Sequence, residues 1–351
     1  MFGIGAAKNV VGLDIGSSSI KAVELKRSKG QIEVAHIGFE PLASDIVVDS
    51  MIVDSGTVSS AISKIFTENA MKSKLVATSV SGHSVIVKKI SIPTMGEQEL
   101  SEHIGTEAAQ HIPFDIADVN IDFQILSEDL SGPQMDVLLA AVKKDKILNY
   151  TNVLSLAGKS PAIVDIDAFA LQNCYEYNYD PAPGATVALL NLGASVMNIN
   201  IVKGATPLFT RDVSVGGNQY TDSLQKELDL SFDDAEALKL GRQVGTVSAD
   251  AKGPILQQVT EIIVLEIQKT FDFFRATAPG EHIERIYLAG GSSKVPGLME
   301  ALRQEFSIPV ELLNPFQRVG LPLGQTASLV DQNAGQLAVA VGLALRSFEN
   351  L

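Results

Sequence analysis

The sequence predicts an α/β protein built from two related lobes. Three observations predict it: a strand–turn–strand meander that occurs twice at long spacing, a segment with its own rhythm set into the first copy, and helix-period runs behind each meander. Val10–Leu13 reads as an apolar strand, Asp14–Ser19 as a polar turn and Ile20–Leu25 as a second strand; Ser28–Gly30 then turns into a third, Gln31–Phe39. The pattern returns at Val187–Leu190, Asn191–Ser195, Val196–Val202, the turn Lys203-Gly204 and Ala205–Val215. Asp14-Ile15-Gly16 is matched by Asn191-Leu192-Gly193, 177 residues later.

Between the meanders, Val85–Ile92 reads as a strand, Glu97–His111 as a helix closed by Pro113, Asn120–Leu126 and Met135–Val142 as strands, and Lys146–Leu156 as a helix. This β-α-β-β-α unit is expected to be an inserted subdomain at about 85–158. Asp165 and Asp167 follow on a strand end, before a helix at Ala168–Tyr177. The Pro- and Gly-rich link Asp180–Gly184 marks the boundary between a first lobe at 1–180 and a second at 181–351. In the second lobe, Tyr220–Leu228 and Asp233–Leu240 are helical. A longer helix spans Ile255–Ala276, with Leu256, Val259, Ile263, Ile267, Phe271 and Phe274 along one face. Ile286–Ala289 is a short buried strand, Gly290–Pro296 a loop, Gly297–Phe306 a helix and Gly335–Phe348 the last helix. Ala334, Ala338 and Gly342 give that last helix a small-residue stripe suited to close approach to the Ala168 helix.

Composition removes several classes of function. The chain has 351 residues, 28 Gly and 14 Pro, the profile of an ordinary globular fold. With 27 basic and 41 acidic residues the net charge is −14, which opposes a broad nucleic-acid surface. The clusters Lys26, Arg27, Lys29 and Lys143, Lys144, Lys146 read as solvated turns and strand ends. The longest apolar run, Leu337–Leu345, is nine residues, against roughly 20 for a membrane span. Met1–Ala7 lacks a basic leader region, so the expectation is a cytoplasmic protein without direct membrane insertion. A single cysteine, Cys174, rules out an internal disulfide.

Three stretches carry candidate chemistry. In Gly12–Lys21, Gly16 lets backbone approach a ligand, the N–H groups and hydroxyls of Ser17, Ser18 and Ser19 suit phosphate oxygens, and Lys21 adds a positive charge. Asp14 is placed to hold Mg²⁺ through its water shell. The same stretch also reads as plain turn chemistry. The second turn, Asn191–Ser195, offers a matching set of donors, and two such tips imply a cleft between the lobes. In Leu288–Pro296, Gly290 and Gly291 leave a flat surface on which a nucleobase fits, with a simple Gly-Gly turn as the alternative. Glu236 and Lys239 share a helix face, either as a ribose-binding pair or as a surface ion pair. Asp165 and Asp167 read as a helix N-cap or as a catalytic carboxylate orienting water.

Together these motifs, in this order, resemble the nucleotide-binding core of actin, the heat-shock chaperone ATPase domain, the sugar kinases and the division protein FtsA. The resemblance implies an actin-like (ribonuclease H-like) duplicated fold: subdomain 1A with an inserted subdomain 1C, then subdomains 2A and 2B, with the last helix packing back at the hinge. It implies ATP with Mg²⁺ as ligand. Gly16, Ser17, Ser18, Ser19 and Lys21 correspond to the first phosphate loop, and Asn191, Gly193, Ala194 and Ser195 to the second. Gly290, Gly291, Ser292 and Lys294 correspond to the adenosine loop, Glu236 and Lys239 to the ribose pair, and Gly216-Gly217-Asn218 to a further nucleotide-side turn. Hydrolytic members carry an aspartate where this chain has Asn191. An amide cannot act as a general base, so the expectation is ATP bound and cleaved slowly or not at all.

Within that superfamily, the opening Met1-Phe2-Gly3, Val11–Leu25, Pro93-Thr94-Met95 and Glu107–Phe114 resemble the PilM family of type IV pilus assembly proteins. This resemblance implies a scaffold, a component of a cytoplasmic homo-oligomeric ring that grips the N-terminal tail of inner-membrane PilN in a groove between subdomains 1A and 1C. It would be peripheral to the inner membrane through its partners, linked indirectly to PilO and PilP and in contact with the cytoplasmic motor ATPases and PilC. The alternatives are an FtsA-like filament-forming division protein, which would need a membrane helix after Leu351, and a sugar kinase or phosphatase of the same superfamily.

Overall fold

The computed structural model describes residues 10–126, 131–245, 247–321, 330 and 333–348. The Met1-Phe2-Gly3 start and the rest of Met1–Ala7 lie outside them. Strands β1 (Val11–Ile15), β2 (Ser19–Ser28) and β3 (Gln31–Pro41) form the first meander. The Lys29-Gly30 turn joins β2 to β3 with φ of 50° and 86°, the left-handed pair whose twist matches a hairpin. A short ladder, β4 (Val47–Val48) and β5 (Met51–Ile52), leads to α1 (Ser55–Glu68). Asp54 caps α1 by accepting the Thr57 N–H at 2.9 Å. After β6 (Leu75–Val80) the chain leaves for β7 (Val85–Pro93), α2 (Glu97–Ala108), β8 (Val119–Ile125) and β9 (Gln134–Lys143). It returns through α3 (Lys144–Leu156), β10 (Ser160–Ile166) and α4 (Asp167–Tyr179). The second copy comprises β11 (Thr186–Leu192), β12 (Met197–Lys203), β13 (Thr206–Val213), α5 (Asn218–Leu228), α6 (Phe232–Lys239), α7 (Ala249–Thr277), β14 (Arg285–Ala289), α8 (Leu298–Phe306), β15 (Val310–Leu312) and α9 (Ala338–Leu345).

The duplication is written in the hydrogen bonding. One sheet runs β3-β2-β1-β6-β10 and the other β13-β12-β11-β14-β15, each an antiparallel meander extended by two parallel strands. Asp14 pairs with Lys21 in the first, and Asn191 with Asn198 in the second. Helices α4 and α9 lie between the sheets, in a core that joins Val23, Leu25, Leu171, Val187, Leu189 and Val341. On the outer faces, α1 and α3 cover the first sheet and α5 to α8 the second. Every residue of α9 is buried, as an all-apolar helix requires.

Three expectations shift. The inserted segment was expected to include the helix after its last strand. Instead the buried residues of α3, Tyr150, Val153 and Leu154, join the first-lobe core with Leu13 and Ile62. The compact insert is the β7-β9-β8 sheet with α2, closed on its own core of Ile92, Leu100, Met135 and Leu139. The long helix begins before Pro254, because Ser248 caps it by accepting the Ala251 N–H at 3.2 Å. The last helix is α only over Ala338–Leu345, with 3₁₀ turns at Ala334–Leu337 and Arg346–Phe348.

Candidate functional site

The two hairpin tips are built alike. Gly16 N–H donates to Ser19 O at 3.1 Å, and Gly193 N–H to Val196 O at 3.0 Å. A Cβ on Gly193 would stand 2.8 Å from Val196 O, so only glycine allows this turn. The tips touch: Ser195 Oγ donates to Ser17 Oγ at 2.7 Å across 178 positions of chain. Their chemistry differs. At the base of the first, Lys21 Nζ lies 3.1 Å from Asp14 Oδ2, with side chains 11% and 14% exposed. At the base of the second, Asn191 Nδ2 donates to Asn198 Oδ1 at 2.9 Å. A charged pair has become a neutral amide pair at equivalent positions.

These tips form one end of a cavity of about 770 Å³ between the lobes. Its lining includes Asp14, Gly16, Ser17, Ser18, Ser19, Lys21, Asp167, Asn191, Gly193, Ala194, Ser195, Glu236, Lys239, Gly290, Gly291 and Ser292. Among the described residues, the buried hydroxyl of Ser19 has no hydrogen-bond partner. A buried hydroxyl left unpaired beside a cavity is suited to a polar ligand. Gly216 and Gly217 sit behind the second tip. Gly217 N–H donates to Gly193 O at 2.9 Å, and a Cβ on Gly216 would lie 2.8 Å from the same oxygen. Ser292 Oγ also donates to Gly193 O, at 3.0 Å, tying the glycine doublet to the tip. Lys239 is buried and pairs with Glu236, while its ammonium donates to Thr221 Oγ1 at 3.1 Å. Lys294 is not on the cavity wall; it is exposed and reaches Asn333 Oδ1 at 3.4 Å.

The two aspartates near the start of α4 part company. Asp167 faces the cleft, whereas Asp165 lies on the other side, 3.1 Å from Arg346 in an ion pair with both side chains under 10% exposed. Asp165 is thereby held as a structural ion-pair partner rather than a group facing the cleft. Burial pushes the Asp167 carboxyl up to about 6, the Asp14 carboxylate adds to that, and the Ser79 and Ser81 hydroxyls oppose it.

Asp212 on β13, absent from the sequence motifs, lies behind the cavity-lining Asn198 and adds to the upward push on the Asp167 carboxyl. It accepts from Asn198 Nδ2 at 2.8 Å and from Gly82 N–H at 2.6 Å. Burial raises its carboxyl despite those bonds. Lys146, expected to be solvated, is instead 1% exposed and donates to Ser50 O, which also accepts from Tyr150 OH at 3.0 Å. Burial pushes its ammonium down to about 8 against the pull of Asp167 and Asp212.

Mg²⁺ held through water fits this donor set. Among the described residues no three His, Cys, Asp or Glu side chains converge to hold a metal directly. The carboxylates of Asp14 and Asp167 both line the cavity, so a hydrated cation could be held between them and a phosphate chain.

The raised Asp167 value has a testable sign. Between 3.8 and about 6 the folded chain holds a proton that the unfolded chain has lost, so this group lowers stability as pH rises through that window. Asp167→Asn should therefore raise stability at pH 7.5 by roughly 3 kcal/mol and give no such gain at pH 3.5. Thermal melts at both values check it. A variant that melts lower than wild type at pH 7.5 contradicts the sign.

A second cavity, of about 790 Å³, lies between the first sheet and the insert. Four consecutive residues of β8 (Asp122, Phe123, Gln124, Ile125) and four of β10 (Ile163, Val164, Asp165, Ile166) line it, and both are edge strands. Val142, Ile147 and Phe169 add apolar surface, and Glu97 and Glu176 add acidic groups.

The family model of the type IV pilus assembly protein PilM matches residues 12–348. A solved PilM–PilN type IV pilus biogenesis complex superposes with a TM-score of 0.86 at 26% identity, covering 97% of this chain and 98% of that one. The cell division protein FtsA of Streptococcus pneumoniae is 24% identical over 93% of this chain and 80% of its own length. The ethanolamine utilization protein EutJ of Carboxydothermus hydrogenoformans superposes at 0.58 with 14% identity, covering 96% of this chain and 89% of that one. ADP-bound MreB5 of Spiroplasma citri does so at 0.54 with 13% identity, covering 98% and 97%. The fold is the actin-like one. No helix of the described residues is long and apolar enough to cross a membrane.

Proposed function

The chain belongs to the type IV pilus assembly protein PilM family, and from that membership we propose that it is a cytoplasmic, nucleotide-loaded scaffold of the pilus assembly machine. ATP with Mg²⁺ occupies the interlobe cleft, and the N-terminal tail of a PilN-type inner-membrane protein occupies the groove between the first lobe and the insert. The observation that carries the nucleotide reading is the contact between Ser17 and Ser195 beside the unpaired hydroxyl of Ser19, which sets two rows of donors around one space. Asp14 holds the hydrated metal, Lys21 and the tip N–H groups take the phosphates, Glu236 and Lys239 the ribose, and Gly290-Gly291 the base. With Asn191 already committed to Asn198, the second tip offers no carboxylate to orient water, and turnover is expected to be slow or absent. Binding of ATP, rather than its cleavage, then sets the state of the scaffold.

The tail reading draws on β8 and β10, which both stand at sheet edges and line the groove side by side, the setting in which an extended segment adds to a sheet. Apolar anchors would rest on Phe169 and Ile166, and the acidic rim of Glu97 and Glu176 favours a tail with basic residues. Calorimetry with a synthetic PilN N-terminal peptide tests it. Phe169→Ala should weaken the peptide about tenfold, as expected for a buried aromatic anchor, and leave ATP affinity in place. Failure of the wild-type chain to bind the peptide would remove the scaffold reading and favour an enzyme of the same superfamily.

A further inference from the structure

Helix α7 has two apolar faces, where a helix covering a sheet needs one. Its inner face, with Val259, Ile263, Ile267, Phe271 and Phe274, is buried in the core of the second lobe. On its outer face Ile262, Leu265 and Phe273 stand 44%, 48% and 56% exposed. At about 100° per residue these three, with Lys269 among them, fall in one stripe on the far side of the helix from Ile267 and Phe271. The neighbouring helix α8 shows an ordinary outer face: its exposed residues are Glu300, Arg303, Gln304 and Glu305. Phe273 is also held in place, since its ring lies 5.6 Å from that of Phe209 on β13. A ring already fixed loses little freedom when it is covered.

The charges on this face fit a second copy of the same helix. Lys269 Nζ lies 2.6 Å from Glu266 Oε1, so the middle of the stripe carries one base beside one acid. That pair and the apolar pair Ile262 and Phe273 are centred on the same point, between Ile267 and Gln268. At the edge of the stripe Asp272 and Arg275 pair with each other, and Glu261 accepts from Gln257 at 3.0 Å. A half-turn about an axis that meets the outer face at the central point lays two copies of α7 antiparallel. Ile262 then faces the second copy's Phe273, Glu266 faces its Lys269, and the same contacts repeat in reverse. A parallel arrangement would set Glu266 against Glu266 and Lys269 against Lys269. We infer that the outer face of α7 is a self-association surface, on which a second copy of this chain docks antiparallel about a two-fold axis. Such a contact is isologous and closed, so it yields pairs rather than fibres. The apolar residues supply the attraction, and the Glu266 and Lys269 pairs fix register and direction. None of the described residues of α7 lines either cavity, so docking leaves both open, and the inference does not depend on the nucleotide or tail readings.

Sedimentation equilibrium of the full chain tests this, in about 0.15 M salt to screen the repulsion between two chains of net charge −14. A monomer–dimer equilibrium with a dissociation constant of roughly 10–100 µM is expected, since one helix face is smaller than a standard interface. Phe273→Ser should weaken it about tenfold, as for an aromatic anchor. Thermal melts check that each variant is folded. Glu266→Lys alone and Lys269→Glu alone should each weaken self-association about tenfold, because each sets like charges against each other across the axis. The two single variants mixed in equal amounts should associate as wild type does, and the double variant should do so by itself. A pair that acts only within its own helix would show neither rescue. A wild-type chain still monomeric at about 0.5 mM overturns the inference and leaves this face to a different protein. Dimers that persist unchanged in Phe273→Ser, or single charge variants that fail to associate when mixed, overturn it as well.

Discussion

A valine at Gly342 is expected to leave little soluble protein, and Gly342→Ala should already melt well below the wild-type chain. The reason lies in what α9 touches. A Cβ at Gly342 would overlap the carbonyl oxygen of Ala170 on α4 and stand 2.6 Å from its carbon. On the opposite face, a Cβ at Gly12 of β1 would overlap Ala340 O and lie 2.5 Å from Ala344 N. The helix is held backbone to backbone on both sides, so no side chain can rotate away to make room. Overpacking where side chains can yield costs about 1–3 kcal/mol. Here a value near the top of that range is expected for alanine alone, a fall of roughly 4 °C in melting temperature for a chain of 351 residues. Differential scanning fluorimetry reads this directly. An alanine variant melting within a degree of wild type would mean that α4 and α9 part freely, and that the pinning described here is wrong.

Asp14→Ala has the second largest expected effect, and it acts at the cleft. The substitution removes the carboxylate proposed to hold hydrated Mg²⁺ and leaves the Lys21 ammonium, only 11% exposed, without its partner. A loss of about 100-fold in Mg-ATP affinity is expected, equivalent to about 2.7 kcal/mol. The apo chain should also lose stability, since stripping one partner from a largely buried pair costs about 3 kcal/mol or more. The tail peptide should still bind, because Asp14 lines the cleft and not the second groove. Isothermal titration with and without Mg²⁺ separates the two roles. ATP affinity within threefold of wild type would remove Asp14 from the metal site.

Much of this was legible in the sequence because hairpins are local. A turn of glycine and serine between two apolar runs states its own geometry, and finding it twice at one spacing supplied the duplication. What was not legible arrives from far away in the chain. Asp212 carries no motif; the β12–β13 register sets it opposite Asn198, and the fold then brings it to Gly82, 130 residues distant. Lys146 reads as part of a solvated cluster because Lys143 and Lys144 stand beside it in the sequence, and no local signal shows that it alone turns inward. Asp165 and Asp167 looked equivalent because residues two apart share a face of a strand. The alternation ends between them: β10 stops at Ile166 and α4 starts at Asp167, so the second carboxylate swings to the other side. The helical period of α3 was readable, but a period does not say which of two cores it serves.

That switch at the end of β10 has a partner in β6. Val80 lines the groove and Ser81 the cleft, just as Ile166 lines the groove and Asp167 the cleft, and Val80 and Ile166 are paired across the sheet. The partition between the two chambers is thus one polypeptide thick at this point. Adding or deleting one residue in either strand would exchange the inner and outer linings of both chambers at once. Length changes here should accordingly be far rarer among descendants of this chain than replacements, since a single indel would damage two ligand sites in one step.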